Sequence, residues 1–261
     1  MFQSESPFDE ELTYQNFESI LEALKLQFEI RPLRDRFSYT NALPTVFMRH
    51  DVDVSLKSAV RMAEIEFQLG VQATYMVISN SPLYDIAGEV ERSALCRLCE
   101  LGHEVALHFD ISERDRSKEV AIDEIADQIN LASNAIEQVT GLPVSSLSFH
   151  RPPQNFLRGP ETICDKVNAY SEALMANYIS DSRGRWSSNW PKRLNKGHGA
   201  LNQILLHPIW WGEFHLPPEQ RLQQFFEDET SGAAAQTTEA FAANLAATLP
   251  GVVRTSLRHA E

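Results

Sequence analysis

The chain has 261 residues, 43% hydrophobic and 23% charged, with a formal net charge of −13 at pH 7. That length buries one large core and matches a (β/α) barrel forming a single domain over residues 1–261. The acidity argues against a nucleic-acid partner, no apolar run approaches the ~18 residues of a membrane span, and no secretory signal opens the chain.

The first 12 or so residues are acidic and contain proline, so they are expected to fray. A helix is expected over residues 14–28, where Phe17, Ile20, Leu21 and Leu24 recur at helical spacing. Helices and short apolar runs then alternate. A strand at 45–49 precedes a helix at 55–69 that ends at Gly70, and a strand at 73–78 precedes a helix at 90–101 that ends at Gly102. A strand at 104–107 leads into a long amphipathic helix over 118–139, closed by Gly141. Strands follow at 145–149, 177–180 and 203–206, with a helix near 161–170. The segment 186–199 reads as a long loop over the strand ends, of the kind that often forms a lid. A C-terminal helical extension over 217–261 holds helices near 218–226 and 238–248 around a flexible joint at 231–235. Such alternation predicts an α/β fold with parallel strands and crossover helices. Cys96 and Cys99 form a C-x-x-C inside a predicted helix, with no second pair to complete a zinc or redox site. They read as packing residues in a reducing, cytoplasmic setting.

Four apolar runs end at or beside a histidine: His50, His108, His150 and His207, four of the eight in the chain. A fifth run ends at Asp181. In parallel α/β folds the C-terminal strand ends share one face, where active sites lie, so these side chains are expected to converge. Strand alternation turns Asp51 and Asp53 the same way and His50 the other, so His50 reads either as a core or supporting residue or as a catalytic one. Two neighbouring carboxylates do not both stay ionised without a cation or an Arg between them. A helix cap ahead of Ser55 explains one Asp and not both. Zinc takes His nitrogen and carboxylate oxygen and keeps one position open in catalytic sites. Asp53 and His108 supply two ligands; the third comes from His150, Asp110 or another group. His103 opens a strand rather than ending one and reads as structural, and His198 and His215 read as surface residues. Trp190, Trp210, Trp211 and Phe214 read either as core or as a sugar-stacking platform.

The order of motifs resembles the polysaccharide deacetylase family (the NodB-homology domain, carbohydrate esterase family 4). Phe47-Met48-Arg49-His50-Asp51-Val52-Asp53 resembles its Thr-Phe-Asp-Asp-Gly motif in a divergent His-Asp-Val-Asp form. Gly102-His103-Glu104-Val105-Ala106-Leu107-His108 is similar to the opening of its second motif, and Phe149-His150-Arg151-Pro152-Pro153 to its Phe-Arg-Pro-Pro-Tyr. Tyr178 through Trp186 resembles its Asp…Trp motif, and Leu205-Leu206-His207 its closing Leu-x-His. These motifs span residues 46–208.

The resemblance implies a deformed (β/α) barrel and metal-dependent N-deacetylation of a sugar. Asp51 would be the general base, with Asp53, His108 and a third group as metal ligands. Arg151 would hold the base, Asp181 would orient the acid, and His207 would protonate the leaving amine. Trp186 would wall the substrate pocket, with Asp110 beside it. The metal implied is Zn2+, with Co2+, Ni2+ or Mn2+ as alternatives. The chain departs from the family at Ser112, where a second metal-binding His is usual, which gives His150 the place of the missing nitrogen. Val52 separates Asp51 from Asp53, so their roles as base and ligand are exchangeable. Gln154 replaces the motif's Tyr. With no export signal, a nucleotide- or lipid-linked sugar intermediate of surface polysaccharide or O-antigen synthesis is the expected substrate. The rival readings are a catalytically lapsed saccharide- or metal-binding protein, and a related amide hydrolase or acyltransferase on a non-sugar substrate.

Overall fold

The computed structural model of the chain describes residues 10–38, 43–111, 120–152, 154–231, 235–250 and 252. Ser112 and Pro153, singled out in the sequence, lie outside them. The strands are β1 (Glu29–Arg31), β2 (Thr45–Val52), β3 (Thr74–Val77), β4 (Glu104–Asp110), β5 (Ser146–His150), β6 (Thr162–Ile163), β7 (Lys166–Asn168), β8 (Tyr178–Ser180) and β9 (Leu201–Leu206). The helices are α1 (Tyr14–Lys25), α2 (Leu56–Gln68), α3 (Glu89–Glu100), α4 (Ala126–Thr140), α5 (Glu172–Met175), α6 (Trp190–Arg193), α7 (Pro218–Thr230) and α8 (Ala235–Thr248). No helix among the described residues is long and apolar enough to cross a membrane.

The sheet runs in the order β6-β7-β5-β4-β3-β2-β9-β8, with β1 paired to the first part of β2. Every pairing is parallel except β6 with β7. The sheet curls into an open half-barrel flanked by helices, a deformed (β/α) barrel. Helices between successive strands force the parallel arrangement, because a parallel return needs a crossover. Beyond β7 the chain crosses back to place β9 and β8 on the other side of β2. That reversal makes β2 the switch strand, and clefts form at such points beyond the strand C-termini.

All eight residues of β2 are buried, as expected of a strand covered on both faces. Alternation divides them. Val46, Met48 and Val52 join the core under the helices, where α1 contributes Phe17, Ile20, Leu21 and Leu24. Phe47 faces inward and meets Leu33, Met76, Ala106, Val167, Ala169 and Leu174 to fill the barrel floor. Burying Phe47 and Met76 there contributes roughly 1.5–3 kcal/mol each. The Glu104 carboxyl ties the floor together, accepting from Thr74 Oγ1 at 2.6 Å, Ser146 Oγ at 2.6 Å and Arg34 N at 2.8 Å. Burial pushes its pKa up despite these donors.

The expected helices at 14–28, 55–69 and 90–101 form as α1, α2 and α3, and Gly70 and Gly102 end the latter two at φ 68° and 85°. Part of the expected 118–139 helix is present as α4, which begins at Ala126 and closes at Gly141. The expectation of a helix near 161–170 is overturned. That stretch is the β6–β7 hairpin, turned by Cys164 at φ 48° and Asp165 at φ 60°. Two left-handed residues in a two-residue loop match the twist of a hairpin, whereas a helix would need both at negative φ.

Candidate active site and metal centre

The alternation that puts Phe47 in the floor carries Arg49 and Asp51 up the same inner face of β2, with Asp53 just beyond the strand. Inner positions of β4 and β5 add His108 and Ser148, which sit in register, and His150 ends β5. His207 follows β9 directly. These side chains meet at the C-terminal mouth. Of the four strand-end histidines, His108, His150 and His207 converge there. His50 does not; it points to the outer face, as alternation requires.

Asp53, His108 and His150 each offer a ligand atom, and these atoms lie within 4.8 Å of one another. Asp53 Oδ1 is 3.1 Å from His108 Nε2 and 3.3 Å from His150 Nδ1. Against burial, the charges of His150 and His108 hold the Asp53 carboxyl well below the usual carboxylate range. Asp53 Oδ1 is nevertheless buried without a hydrogen-bond donor in proper geometry, and so is His150 Nε2. A buried carboxylate oxygen left so is costly unless a cation satisfies it. The donor set therefore fits a divalent metal. His108 turns Nε2 toward the centre because Nδ1 is bonded to Ser148 Oγ at 2.6 Å, the supporting bond that fixes a ligand imidazole. Tyr84 braces the end of β2 by donating to Val52 O at 2.7 Å and accepting from Ile78 N at 3.0 Å. The helix cap of α2 is the Ser55 hydroxyl, so neither Asp51 nor Asp53 fills that role. Asp110 stands beside His150, whose pKa is raised against burial by Asp53 first and Asp110 after it.

Asp51 is gripped by Arg49, with Nε to Oδ1 at 2.7 Å and Nη2 to Oδ2 at 2.6 Å. The guanidinium stacks over Tyr170, 4.7 Å from the ring centroid, and donates to its hydroxyl at 3.2 Å. Arg49 and Asp51 are 0% and 3% exposed, so the pair is fully desolvated. Burial raises the Asp51 pKa, but Arg49 and His108 together bring it below the ordinary value. A guanidinium on Asp51 is that of Arg49, a residue to which the motif resemblance gave no role beside its Arg151. Arg151 lines the pocket, and its backbone is left-handed at φ 51°. That conformation costs a non-glycine residue about 1–2 kcal/mol and clusters at functional sites.

Asp181 is fully buried and accepts from His207 N, His207 Nδ1 at 2.6 Å and Trp211 Nε1 at 2.8 Å. Burial opposes a charge on His207, but Asp181 outweighs it and the pKa is pushed up to about 9. His207 Nε2 looks back to Asp53 Oδ2 at 3.9 Å. Trp186 is 2% exposed, stacked with Trp190 and edge-on to Trp211 behind the site, and Trp210 rather than Trp186 lines the pocket. Trp190, Trp210 and Trp211 are buried and only Phe214 is exposed, so they form no platform. His103 is structural: Nδ1 accepts from Ala73 N and Nε2 donates to Ala63 O. His198 and His215 are exposed. Cys96, Cys99 and Cys164 are free thiols.

No family model matches the chain, and no curated protein matches it. Solved structures do. A carbohydrate esterase family 4 (CE4) pseudoenzyme from Bacillus anthracis is 16% identical, with a TM-score of 0.46 over 80% of this chain and 62% of that one. The peptidoglycan deacetylase PdaC from Bacillus subtilis is 16% identical, at 0.46 over 73% of this chain and 97% of that one. A family 4 acetyl xylan esterase from Clostridium thermocellum in complex with a cobalt ion is 15% identical, at 0.39 over 70% and 80%. The chain spans less than two thirds of the length of the Bacillus anthracis protein. At such identities and scores the functional reading rests on the site.

Proposed function

We propose that the chain is a metal-dependent hydrolase that removes an N-acyl group, in the first instance acetyl, from an amino sugar. The observation that carries this reading is the meeting in one pocket of three elements: the Asp53–His108–His150 donor set, the Arg49–Asp51 pair and the Asp181–His207 dyad. Two imidazole nitrogens and a carboxylate suit Zn2+, with Co2+, Ni2+ or Mn2+ as substitutes. A divalent ion held there supplies Lewis acidity toward the amide carbonyl and toward water.

The remaining work falls to the protein. Asp51 takes the proton of the attacking water. Arg49 occupies one lone pair on each of its oxygens, fixes the carboxylate plane and keeps it ionised, and each oxygen retains a second lone pair. Asp181 accepts from His207 Nδ1, which leaves Nε2 turned to the pocket as the donor for the departing nitrogen. An amine leaves readily only once protonated, and a positioned acid or base contributes about 10²–10⁴ in rate. The sugar part of the reading is supported by the five-motif resemblance, and a nucleotide- or lipid-linked amino sugar is the substrate class we favour.

Mass spectrometry of N-acetylated amino sugars incubated with metal-loaded protein tests this. The expected result is a loss of about 42 Da with matching release of acetate. An unchanged mass on every N-acyl sugar, with metal bound, overturns it. A second reading, a lapsed binding protein, is favoured by the grip of Arg49 on both Asp51 oxygens, which lowers the basicity of that carboxylate. It predicts binding without turnover, and an acyltransferase would instead move the acyl mass to an acceptor.

A further inference from the structure

The segment that follows α7 has no part in the chemistry above, yet it reaches the pocket. Helix α8 is anchored at several points. Phe241 packs on Phe225 and Phe226 at ring distances of 5.9 and 6.2 Å. Leu245 is fully buried, and Asn244 Nδ2 donates to Pro82 O at 3.0 Å, beyond the end of β3. After the helix, Val252 N bonds back to Leu249 O at 3.3 Å, and Thr248, Leu249, Pro250 and Val252 line the pocket that holds Asp51, Asp53 and His207. Thr248 and Val252 are only 5% and 8% exposed, so these side chains are packed against the site rather than hanging over it.

The pocket encloses about 300 Å³, at the small end of ordinary ligand sites. Its donor set is 2–5% exposed. A hydrolase that works on units inside a polymer needs a groove that continues past the reacting unit in both directions. Here the largely apolar group of Thr248, Leu249, Pro250 and Val252 forms one wall of the mouth. Resting on the hydrolase reading, we infer that the group of Thr248, Leu249, Pro250 and Val252 determines specificity. It restricts the pocket to a single sugar or a chain-terminal unit and shuts out units flanked on both sides.

The test uses the metal-loaded full chain, wild type and the L249A/V252A variant. Calorimetry measures binding of N-acetylglucosamine and of an oligosaccharide acetylated at its inner units only. Wild type should prefer the single sugar by at least about tenfold, and the variant should narrow that ratio by about tenfold. Equal affinity of wild type for both, no binding of the single sugar, or a ratio unmoved in a folded variant overturns the inference. If the variant does not fold, the two wild-type affinities still decide. Acyl release is read in the same samples. The expected binding pattern without release sinks the hydrolase reading and leaves the segment's role standing. Release from inner units by wild type does the reverse.

Discussion

Arg49 and Asp51 form a buried ion pair whose worth lies in orientation more than in stability. Burying both charges costs several kcal/mol per ion before their attraction returns it, so such pairs are weak stabilisers taken whole. Breaking one is another matter. Arg49→Met leaves the Asp51 charge enclosed and unpaired and is expected to cost about 3–5 kcal/mol in urea unfolding. Asp51→Asn keeps the shape and should bind metal at full stoichiometry while losing about 10²-fold or more in turnover; retained turnover assigns the base elsewhere. His108→Ala and His150→Ala should each lose bound metal by elemental analysis, and Asp110→Ala should keep it. Loss of metal in Asp110→Ala with retention in His150→Ala would reverse the third-ligand assignment. Asp53 and His108 were legible in the sequence as ligands because alternation and strand-end position are local signals, whereas the third ligand stayed open between His150 and Asp110. The same i, i+2 spacing that aligned Asp51 with Asp53 also aligns Arg49, and that was the available clue to the residue the motif resemblance passed over.

At the level of elements, β2 presents different chemistry on its two faces. Behind the site, on the outer face, His50 Nε2 bonds Glu66 Oε1 of α2 at 2.7 Å, and Tyr75 of β3 donates to Glu66 Oε2 at 2.7 Å. His50 stacks on Tyr75 at 4.5 Å, and His103 lies edge-on to Tyr75 at 5.3 Å. Against burial, His50 foremost holds the Glu66 carboxyl below its ordinary value of 4.5, while burial lowers the His103 pKa from 6.5. Both shifts act with one sign. The unfolded chain takes up protons first in each case, so stability falls as pH drops, first below 6.5 for His103 and then below 4.5 for Glu66. Glu66→Gln should flatten the lower part of that slope in denaturant midpoints measured against pH. His103→Gln should flatten the upper part, and parallel slopes in all three proteins refute the assignment. None of this network was legible beyond the placing of His103 away from the chemistry, because its partners come from a helix and two strands. The β6–β7 hairpin was misread for a related reason. Ten residues with mixed apolar spacing suit either element, and what decides is the left-handed backbone at Cys164 and Asp165, residues that carry no glycine signal.

For the whole molecule, alternating helices and apolar runs were enough to give parallel strands and a barrel-like scaffold. The order of strands was not. That β9 returns to pair with β2, bringing His207 to Asp53 with Asp181 behind it just past β8, is a non-local pairing with no local sequence signature. The approach of Thr248, Leu249, Pro250 and Val252 to the pocket is equally non-local. These long-range closures assemble a site in which the buried Asp53 Oδ1 has only the His108 and His150 imidazoles beside it, and a metal that binds only the folded form should stabilise it. At a free ion concentration of 100 times Kd, mass action contributes about 2.7 kcal/mol. For a chain of this size that raises the melting temperature by roughly 5–10 °C. Calorimetric scans with Zn2+ added to chelator-stripped protein should show that rise for wild type and Asp51→Asn, and no rise for His108→Ala. An unmoved wild-type transition with Zn2+, Co2+, Ni2+ and Mn2+ alike would leave Asp53, His108 and His150 as a polar cluster and remove the basis for the hydrolase.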